Sequence, residues 1–321
     1  MMQHAEIINR VDSFINGLLN EKMDVYRASA HLISAGGKRL RPLLAVRFYE
    51  SLGGRAEDII EAAAAAELIH SFTLVHDDIM DNDDYRRGVP TVHKVYGTAK
   101  AILAGDLLFA EGYRALSMSQ VLSSHPDRFL RSSRVLTENV VLICEGQDMD
   151  ITPPKEFNED FYYGLIRRKT SALFIASALI GVYASGKNEY ENAARKYGDG
   201  LGIAFQIVDD LLGIVGDTKE TGKPVGSDIR EGKRTLPISI AINMADKELR
   251  EMILGVYGKP SSDKVMEEIV ERIKSMDLEE HVLNVARGYA QSAIDAIEKI
   301  PESDSKRSLE ELVELAIRRK K

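Results

Sequence analysis

Residues 67–91 read ELIHSFTLVHDDIMDNDDYRRGVPT, and no other stretch of the 321-residue chain concentrates so many groups able to do chemistry. Asp77, Asp78 and Asp81 form a D-D-x-x-D group. On a helix Asp77 and Asp81 fall about 40° apart on one face, one turn from each other. Two carboxylates so placed repel unless a cation sits between them, and Mg²⁺, a hard cation with oxygen ligands, suits them. Arg86 and Arg87 follow, then Gly88 and Pro90. Carboxylates followed by paired guanidiniums suit a phosphate group held from two sides, by Mg²⁺ and by Arg forks. A plain helix end with a solvated acidic face uses the same residue types, so the rest of the chain has to decide.

A second acidic cluster, Asp209-Asp210 in FQIVDDLLGIVGD, also ends an apolar helix pattern. Position 213, one turn after Asp209, is glycine, and Asp217 opens the loop beyond it. Adjacent acids among Ile207, Val208, Leu211 and Leu212 need partners if buried, while helix-end charge is the plainer account. In Gly36-Gly37-Lys38-Arg39-Leu40-Arg41-Pro42, Lys38 and Arg41 stand at a helix start, beside first-turn N–H groups, an anion-binding arrangement. It is not a P-loop, since no glycine stands five residues before Gly37, and the Gly-Lys pairs at 222–223 and 232–233 fail the same test. Arg39 reads as a basic turn residue on the surface. His70, two turns before Asp77 on nearly the same face, reads as an anion contact or a satisfied core residue. His76 reads as structural. All-oxygen acidic clusters favour Mg²⁺ over zinc. Lys169-Thr170, Gln206, Lys223 and Lys233 carry little alone.

These groups need a frame, and helical periodicity supplies it. Helices are predicted over 3–20, 24–35, 42–52, 56–81, 98–118, 127–150, 158–184, 188–215, 235–256, 262–276, 279–299 and 308–320. The last opens on Ser308 and Glu311 in capping-box spacing. Residues 82–97 read as irregular, and 216–234 as a long loop of the kind that is usually functional. With no strand run and no domain break, one all-α domain over 1–321 is expected. The hydrophobic content of 44% suffices for a large core. A net charge of −8 argues against a general nucleic-acid binder, while basic clusters at 38–41, 86–87, 167–169 and 223–234 suit small anions. The one cysteine, Cys144, reads as core packing and suits a reducing cytoplasm. The N-terminus lacks the apolar segment of a signal peptide, and the uncharged run 170–186 reads as a buried helix, not a transmembrane segment.

The strings GGKRLRP at 36–42, IHSFTLVHDDIMD at 69–81, RRGVPT at 86–91, KT at 169–170, FQIVDD at 205–210 and GK at 222 and 232 together resemble the trans-isoprenyl diphosphate synthases, or polyprenyl synthetases. The resemblance covers about residues 36–235 and is nearest to short-chain geranylgeranyl diphosphate synthases. It implies an all-α bundle around a deep central cavity, usually homodimeric, that condenses isopentenyl diphosphate head to tail with an allylic diphosphate. It implies Mg²⁺, three ions per active site, held by Asp77, Asp78, Asp81, Asp209 and Asp210. Arg86, Lys169, Thr170, Gln206, Lys223 and Lys233 would bind the allylic diphosphate, and Lys38, Arg41, His70 and Arg87 the isopentenyl diphosphate. Asp77, Asp81, Lys169 and Asp209 would carry catalysis. The family's second acidic motif usually ends in Asp, where this chain has Gly213, so how the third ion is held stays open.

The residue types fit that chemistry. Diphosphate leaves only when its charge is neutralised. The alkene then adds to the allylic cation, and the released diphosphate takes the last proton. Phe72, beside the smaller Thr73, matches the archaeal-type geranylgeranyl pattern, in which an aromatic floors the product pocket; plain core packing is the alternative. A farnesyl or longer-chain synthase is the nearest competing reading. A terpene cyclase needs no second diphosphate site, so Lys38, Arg41 and His70 speak against it. A non-catalytic partner subunit would explain Gly213 but not the five acids.

Overall fold

The computed structural model describes residues 2–20, 22–154, 157–216 and 226–318. Lys223, Asp217 and the rest of 217–225 in the predicted loop lie outside them. Among the described residues the chain is almost entirely helical: α1 (His4–Leu18), α2 (Asp24–Ser34), α3 (Leu40–Ser51), α4 (Ile60–Met80), α5 (Val92–Tyr96), α6 (Thr98–Met118), α7 (Gln120–Ser123), α8 (Pro126–Ile151), α9 (Glu159–Ile166), α10 (Ala172–Ser185), α11 (Glu191–Val215), α12 (Ser227–Glu231), α13 (Leu236–Met244), α14 (Lys247–Val256), α15 (Asp263–Lys274), α16 (Leu278–Ala296) and α17 (Asp304–Ile317). The exception is a minimal antiparallel pair, β1 (Tyr85–Arg86) and β2 (Val89–Pro90), with Tyr85 opposite Pro90. The residues group into two compact units, one of 1–141, 172–198 and 296–312, the other of 142–171, 199–295 and 313–321.

The first unit is built on α4. Its five alanines, Ala62 to Ala66, are fully buried. Such small side chains let neighbouring helices come close, and α4 packs most extensively against α6. By length and composition Ala56–Met80 could cross a membrane, yet 67% of its apolar window is buried in the protein. Helix α3 lies equally close to α10: a Cβ on Gly181 would stand 2.4 Å from the Ala45 carbonyl oxygen. The second unit buries Ile203, Ile207, Val208 and Leu211 of α11 with Tyr162 of α9 and Met266, Ile269, Val270 and Ile273 of α15. The last four repeat at helical spacing, the pattern of a helix with one apolar face.

Several expectations are corrected. The helix predicted over 235–256 is two. It breaks at Ala245, whose backbone is extended, and Asp246 caps the next helix by accepting the Leu249 N–H. The helix predicted over 158–184 is interrupted by a π-turn, Arg167–Ser171. The last helix starts at Asp304, a turn earlier than its capping-box signal. Ser308 is instead buried inside it, with its Oγ 2.7 Å from His4 Nε2. Residues 82–97 hold the strand pair and α5, elements too short to show a period. Cys144 is exposed on α8, not core.

Gly181→Val is expected to lower unfolding free energy by about 1–3 kcal/mol, the usual cost of overpacking. Urea denaturation checks it. An unchanged midpoint would mean that α3 and α10 re-space freely.

Candidate active site

In the first unit the site starts at the α2–α3 connection. Gly36 (φ +91°) and Gly37 (φ +154°) take backbone conformations that other residues rarely adopt. A Cβ on Gly37 would stand 2.6 Å from Arg39 Nη1 and 3.0 Å from Arg87 Nη1, so the glycine makes room for two guanidiniums. Arg39 is not a surface residue as expected: its side chain is 1% exposed. Its Nε donates to Asp12 at 2.7 Å, Nη1 to Glu67 at 3.1 Å and Nη2 to the Ile33 carbonyl at 2.9 Å. Glu67, on α4, is itself 2% exposed. The ion pair pins the loop to α4 and so sets where Lys38, which is exposed, and Arg41 begin. The Arg41 guanidinium lies over the Phe174 ring, 4.6 Å from its centroid.

Arg87 (φ +53°) and Gly88 (φ +77°) turn the chain between β1 and β2; two positive φ values suit the twist of a two-residue hairpin. A non-glycine residue pays about 1–2 kcal/mol for that conformation. Arg87 is held there by donating to the carbonyls of Gly36 and, at 3.4 Å, Leu32. Arg86 donates from Nε to Asp78 Oδ1, and from Nη2 to Asp83 at 3.4 Å. The hairpin therefore joins both the basic loop and the acidic end of α4.

Asp77 is half-buried and Asp81 exposed, whereas Asp78 is 1% exposed. Burial pushes the Asp78 carboxyl up to about 6, against the pull of Arg86. Its second oxygen, Oδ2, is buried without a hydrogen-bond partner. Burial first, then the charges of Arg41, Arg87, Arg86 and Arg39, hold His70 well below the ordinary imidazole range. Phe72 is half-buried, edge-on to His76 and to Phe109, each at 5.4 Å, and Phe109 continues to Tyr113 at 5.1 Å. Thr73 Oγ1 returns to the His70 carbonyl at 2.8 Å. His76 is structural as expected, its Nε2 3.1 Å from the Ile102 carbonyl oxygen.

In the second unit the π-turn carries Lys169 and Thr170. π-turns are rare and often mark functional sites. A Cβ on Gly146 of α8 would stand 2.6 Å from the Lys169 nitrogen, and one on Gly202 of α11 would stand 2.5 Å from Ser171 Cα. Two glycines on neighbouring helices thus give the wider turn its space. Lys169 Nζ meets Asp150 at 2.6 Å. Thr170 Oγ1 donates to Gln206 Oε1 at 2.6 Å, and Gln206 Nε2 donates to Asp210 Oδ1 at 2.8 Å. Tyr162, which the sequence did not single out, donates its hydroxyl to Asp210 Oδ2 at 2.7 Å. Burial, with the Asp228 charge second, pushes the Asp210 carboxyl up to about 8. Asp209 is exposed. Lys233 Nζ lies 2.9 Å from Glu231 and 3.7 Å from Asp228. Burial works against its charge, but these carboxylates outweigh burial and raise its pKa.

Both aspartate pairs are thus built alike. The first acid, Asp77 or Asp209, is accessible, and the second, Asp78 or Asp210, is buried on a protein partner. Of the carboxylate oxygens of Asp78 and Asp210, both expected as metal ligands, Asp78 Oδ1 serves Arg86 and those of Asp210 serve Gln206 and Tyr162. Among the described residues, no three His, Cys, Asp or Glu side chains form a protein-only metal cage. Mg²⁺ seldom uses one; it is held by one or two carboxylates plus substrate phosphates and water. Asp77 with Asp81, and Asp209, fit that type, and the unpartnered oxygen of Asp78 adds negative potential close by.

The polyprenyl synthetase family model matches residues 22–273. The chain belongs to the polyprenyl synthetase family. It is 40% identical to geranylgeranyl diphosphate synthase of Sulfolobus acidocaldarius over 326 aligned positions, covering 98% of this chain and 97% of the relative. As a polyprenyl synthetase it also has the family's all-helical fold. The crystal structure of geranylgeranyl pyrophosphate synthetase from Pyrococcus horikoshii superposes with a TM-score of 0.88 at 36% identity, covering 99% of this chain and 98% of that one. Geranylgeranyl pyrophosphate synthase from Corynebacterium glutamicum, crystallised with isoprenyl diphosphate and magnesium, gives 0.86 at 29% identity, covering 98% of each chain.

Arg39→Ala is expected to destabilise this synthetase by about 3–5 kcal/mol, since it leaves Glu67 buried and uncompensated. Chemical denaturation measures it, and a loss under 1 kcal/mol would mean that the pair is not buried as described. Asp210 and Asp78 also set a pH dependence. Each binds its proton more tightly when folded, so each stabilises the metal-free protein most below about pH 4. That contribution falls as pH rises, to about 6 for Asp78 and about 8 for Asp210. Asp210→Asn should flatten the decline between pH 6 and 8, read from urea midpoints in EDTA. An unaltered slope would contradict the buried, protonated Asp210.

Proposed function

We propose that this chain is a Mg²⁺-dependent prenyltransferase that condenses isopentenyl diphosphate with an allylic diphosphate and releases geranylgeranyl diphosphate. The observation that carries the reading is the shared build of the two aspartate pairs, an accessible acid beside a buried, braced one, in a chain this similar to a geranylgeranyl diphosphate synthase. When bound, Mg²⁺ supplies positive charge that stabilises the departing diphosphate. Asp77 and Asp81 hold the ion side of the allylic diphosphate, and Asp209 serves a further ion, three in all. Asp78 and Asp210 brace these acids. Arg86, Lys169 and Lys233 donate to the allylic diphosphate, and the role of Lys223 falls outside the described residues. Lys38, Arg41 and Arg87 hold isopentenyl diphosphate by charge, and His70 by a hydrogen bond. The Thr170 and Gln206 oxygens stabilise the allylic cation without capturing it. The allylic carbon–oxygen bond breaks, the alkene closes a new carbon–carbon bond, and the released diphosphate accepts the proton that leaves.

The chain acts as one synthase domain, for the unit boundaries at 141–142 and 198–199 fall inside helices and not in linkers. It works in the cytoplasm, where its exposed Cys144 thiol stays reduced, and as a homodimer, for which exposed Ile102, Leu103 and Phe109 on α6 offer an apolar face. No nucleic acid takes part. Phe72, backed by Phe109 and Tyr113, sets product length.

Purified protein incubated alone with Mg²⁺, isopentenyl diphosphate and farnesyl diphosphate should yield geranylgeraniol after dephosphorylation, read by chromatography. Silence would leave a partner subunit, and diphosphate release without isopentenyl diphosphate a cyclase. Phe72→Ala should shift the product to longer chains. An unchanged distribution would remove Phe72 from length control.

A further inference from the structure

Helix α1 carries none of the residues assigned to the site, yet it touches the basic loop at Asp12. Asp12 Oδ1 accepts the Arg39 Nε–H at 2.7 Å. Arg39 stands at the start of α3 in a left-handed backbone conformation (φ +49°, ψ 36°), a costly one for a residue with a Cβ. Lys38 precedes it and Arg41 follows, so the direction in which both leave the backbone depends on how Arg39 is held. Its Nη1 donates to Glu67 and, at 3.2 Å, to the Gly36 carbonyl, and its Nη2 to the Ile33 carbonyl. These contacts hold the far edge of the guanidinium, and Asp12 holds the near end. Glu67, 2% exposed, already balances the buried charge. Asp12 is one carboxylate more than neutrality asks, beside cations that suit an anion. By charge alone it opposes anion binding, so its contribution there is geometric.

The other end of α1 is fixed to the same helix. Arg47 of α3 is fully buried; its Nη2 donates to the Met2 carbonyl at 2.8 Å and its Nη1 to Glu50 Oε2 at 2.5 Å. Glu50 Oε1 accepts the Met2 N–H at 3.2 Å, and Oε2 accepts the Ser305 hydroxyl of α17 at 3.1 Å. At 1.5 Å per residue, Met2 to Asp12 spans about 15 Å and Arg39 to Arg47 about 12 Å. Two attachments at matched spacing and in opposite chain order lay α1 antiparallel along α3. Its buried face of Ile7, Val11, Ile15 and Leu18 seats it there, and it packs against both α3 and α4.

We propose that α1 is a splint for the isopentenyl diphosphate site and that Asp12 is its positioning residue. Asp12 locks the Arg39 side chain, and the Arg39 backbone in turn sets Lys38 and Arg41. The assignment rests on the prenyltransferase reading and deepens it by separating the two substrates. Lys38 and Arg41 are the cations read for isopentenyl diphosphate. Those read for the allylic diphosphate sit on the hairpin, at Arg86, and in the second unit, at Lys169 and Lys233. Loosening Asp12 should therefore affect one substrate and spare the other. The plainer account makes Asp12 an ion-pair partner that only adds stability. On that account an Asp12 variant has a lower urea midpoint and unchanged KM values.

The test is steady-state condensation by the full chain, with isopentenyl diphosphate and farnesyl diphosphate varied in turn at saturating Mg²⁺. Asp12→Ala should raise KM for isopentenyl diphosphate about tenfold, the scale of one lost charge-assisted hydrogen bond. Its kcat and its KM for farnesyl diphosphate should stay near wild type. Asp12→Asn keeps the acceptor and removes the charge, and should bring KM for isopentenyl diphosphate back near the wild-type value. An unchanged KM for isopentenyl diphosphate in Asp12→Ala, an equal rise for both substrates, or a fall in kcat alone would overturn the assignment in favour of the plain ion pair. Asp12→Asn as impaired as Asp12→Ala would overturn it as well, because charge and not position would then be the cause. Should Asp12→Ala lose its helical circular dichroism, Asp12→Glu is read in its place. It keeps the charge and moves the oxygens by one methylene, the same selective rise is expected, and an unchanged KM there overturns the proposal. Wild type that condenses nothing would instead defeat the prenyltransferase reading itself, and this assignment with it.

Discussion

A carboxylate taken out of water must find a partner or a proton, and the two aspartate pairs are organised by that requirement. Neighbours on a helix point about 100° apart, so one acid of each pair faces the core when the other faces outward. Asp78 turns to Arg86, and Asp210 to Gln206 and Tyr162. The buried acids thereby fix the rotation and the ends of α4 and α11. A divalent ion needs ligands held in place before it arrives, and side chains on braced helices meet that need better than loops do. The same economy recurs in the basic loop. Arg39 gives up its charge to Asp12 and Glu67, and Lys38 and Arg41 start from the backbone that Arg39 anchors.

The chemistry that follows is electrostatic and asks for no nucleophile from the protein. Its demands are cations to take up the charge of the leaving diphosphate, oxygens that steady a carbocation without attacking it, and walls that keep water away. Burial and the charges of four nearby arginines disfavour the protonated form of His70. The aromatic row from Phe72 to Tyr113 gives α4 and α6 a rigid apolar surface one and a half turns from Asp77.

Much of this was legible in the amino-acid order because the acidic helices are amphipathic or alanine-rich over long spans, and the motif residues lie at fixed steps along them. Asp77 and Asp81, Asp209 and Gln206, and the Gly36–Gly37 turn needed only local geometry. What escaped depends on tertiary contacts. The partners of Arg39 lie 27 and 28 residues away, so a buried triad looked like a basic turn. The π-turn at Lys169 follows from Gly146 and Gly202 on other helices, not from its own residues. Tyr162 reads as one more aromatic in an apolar run until Asp210 is placed beside it. Ser308 and Glu311 had the right spacing for a cap, but the helix had already begun one turn earlier, at Asp304, which removed the need for one.

The central claim, that outer acids carry the metal while inner acids brace them, is tested most directly by diffraction. Crystals would be soaked with Mn²⁺ and a thiolo analogue of an allylic diphosphate that resists ionisation, and anomalous difference maps collected. The account predicts manganese peaks coordinated by Asp77 and Asp81 and by Asp209, shared with diphosphate oxygens, while Asp78 stays on Arg86 and Asp210 on Tyr162. Peaks ligated by Asp78 or Asp210, or none beside Asp77 and Asp209, would contradict it.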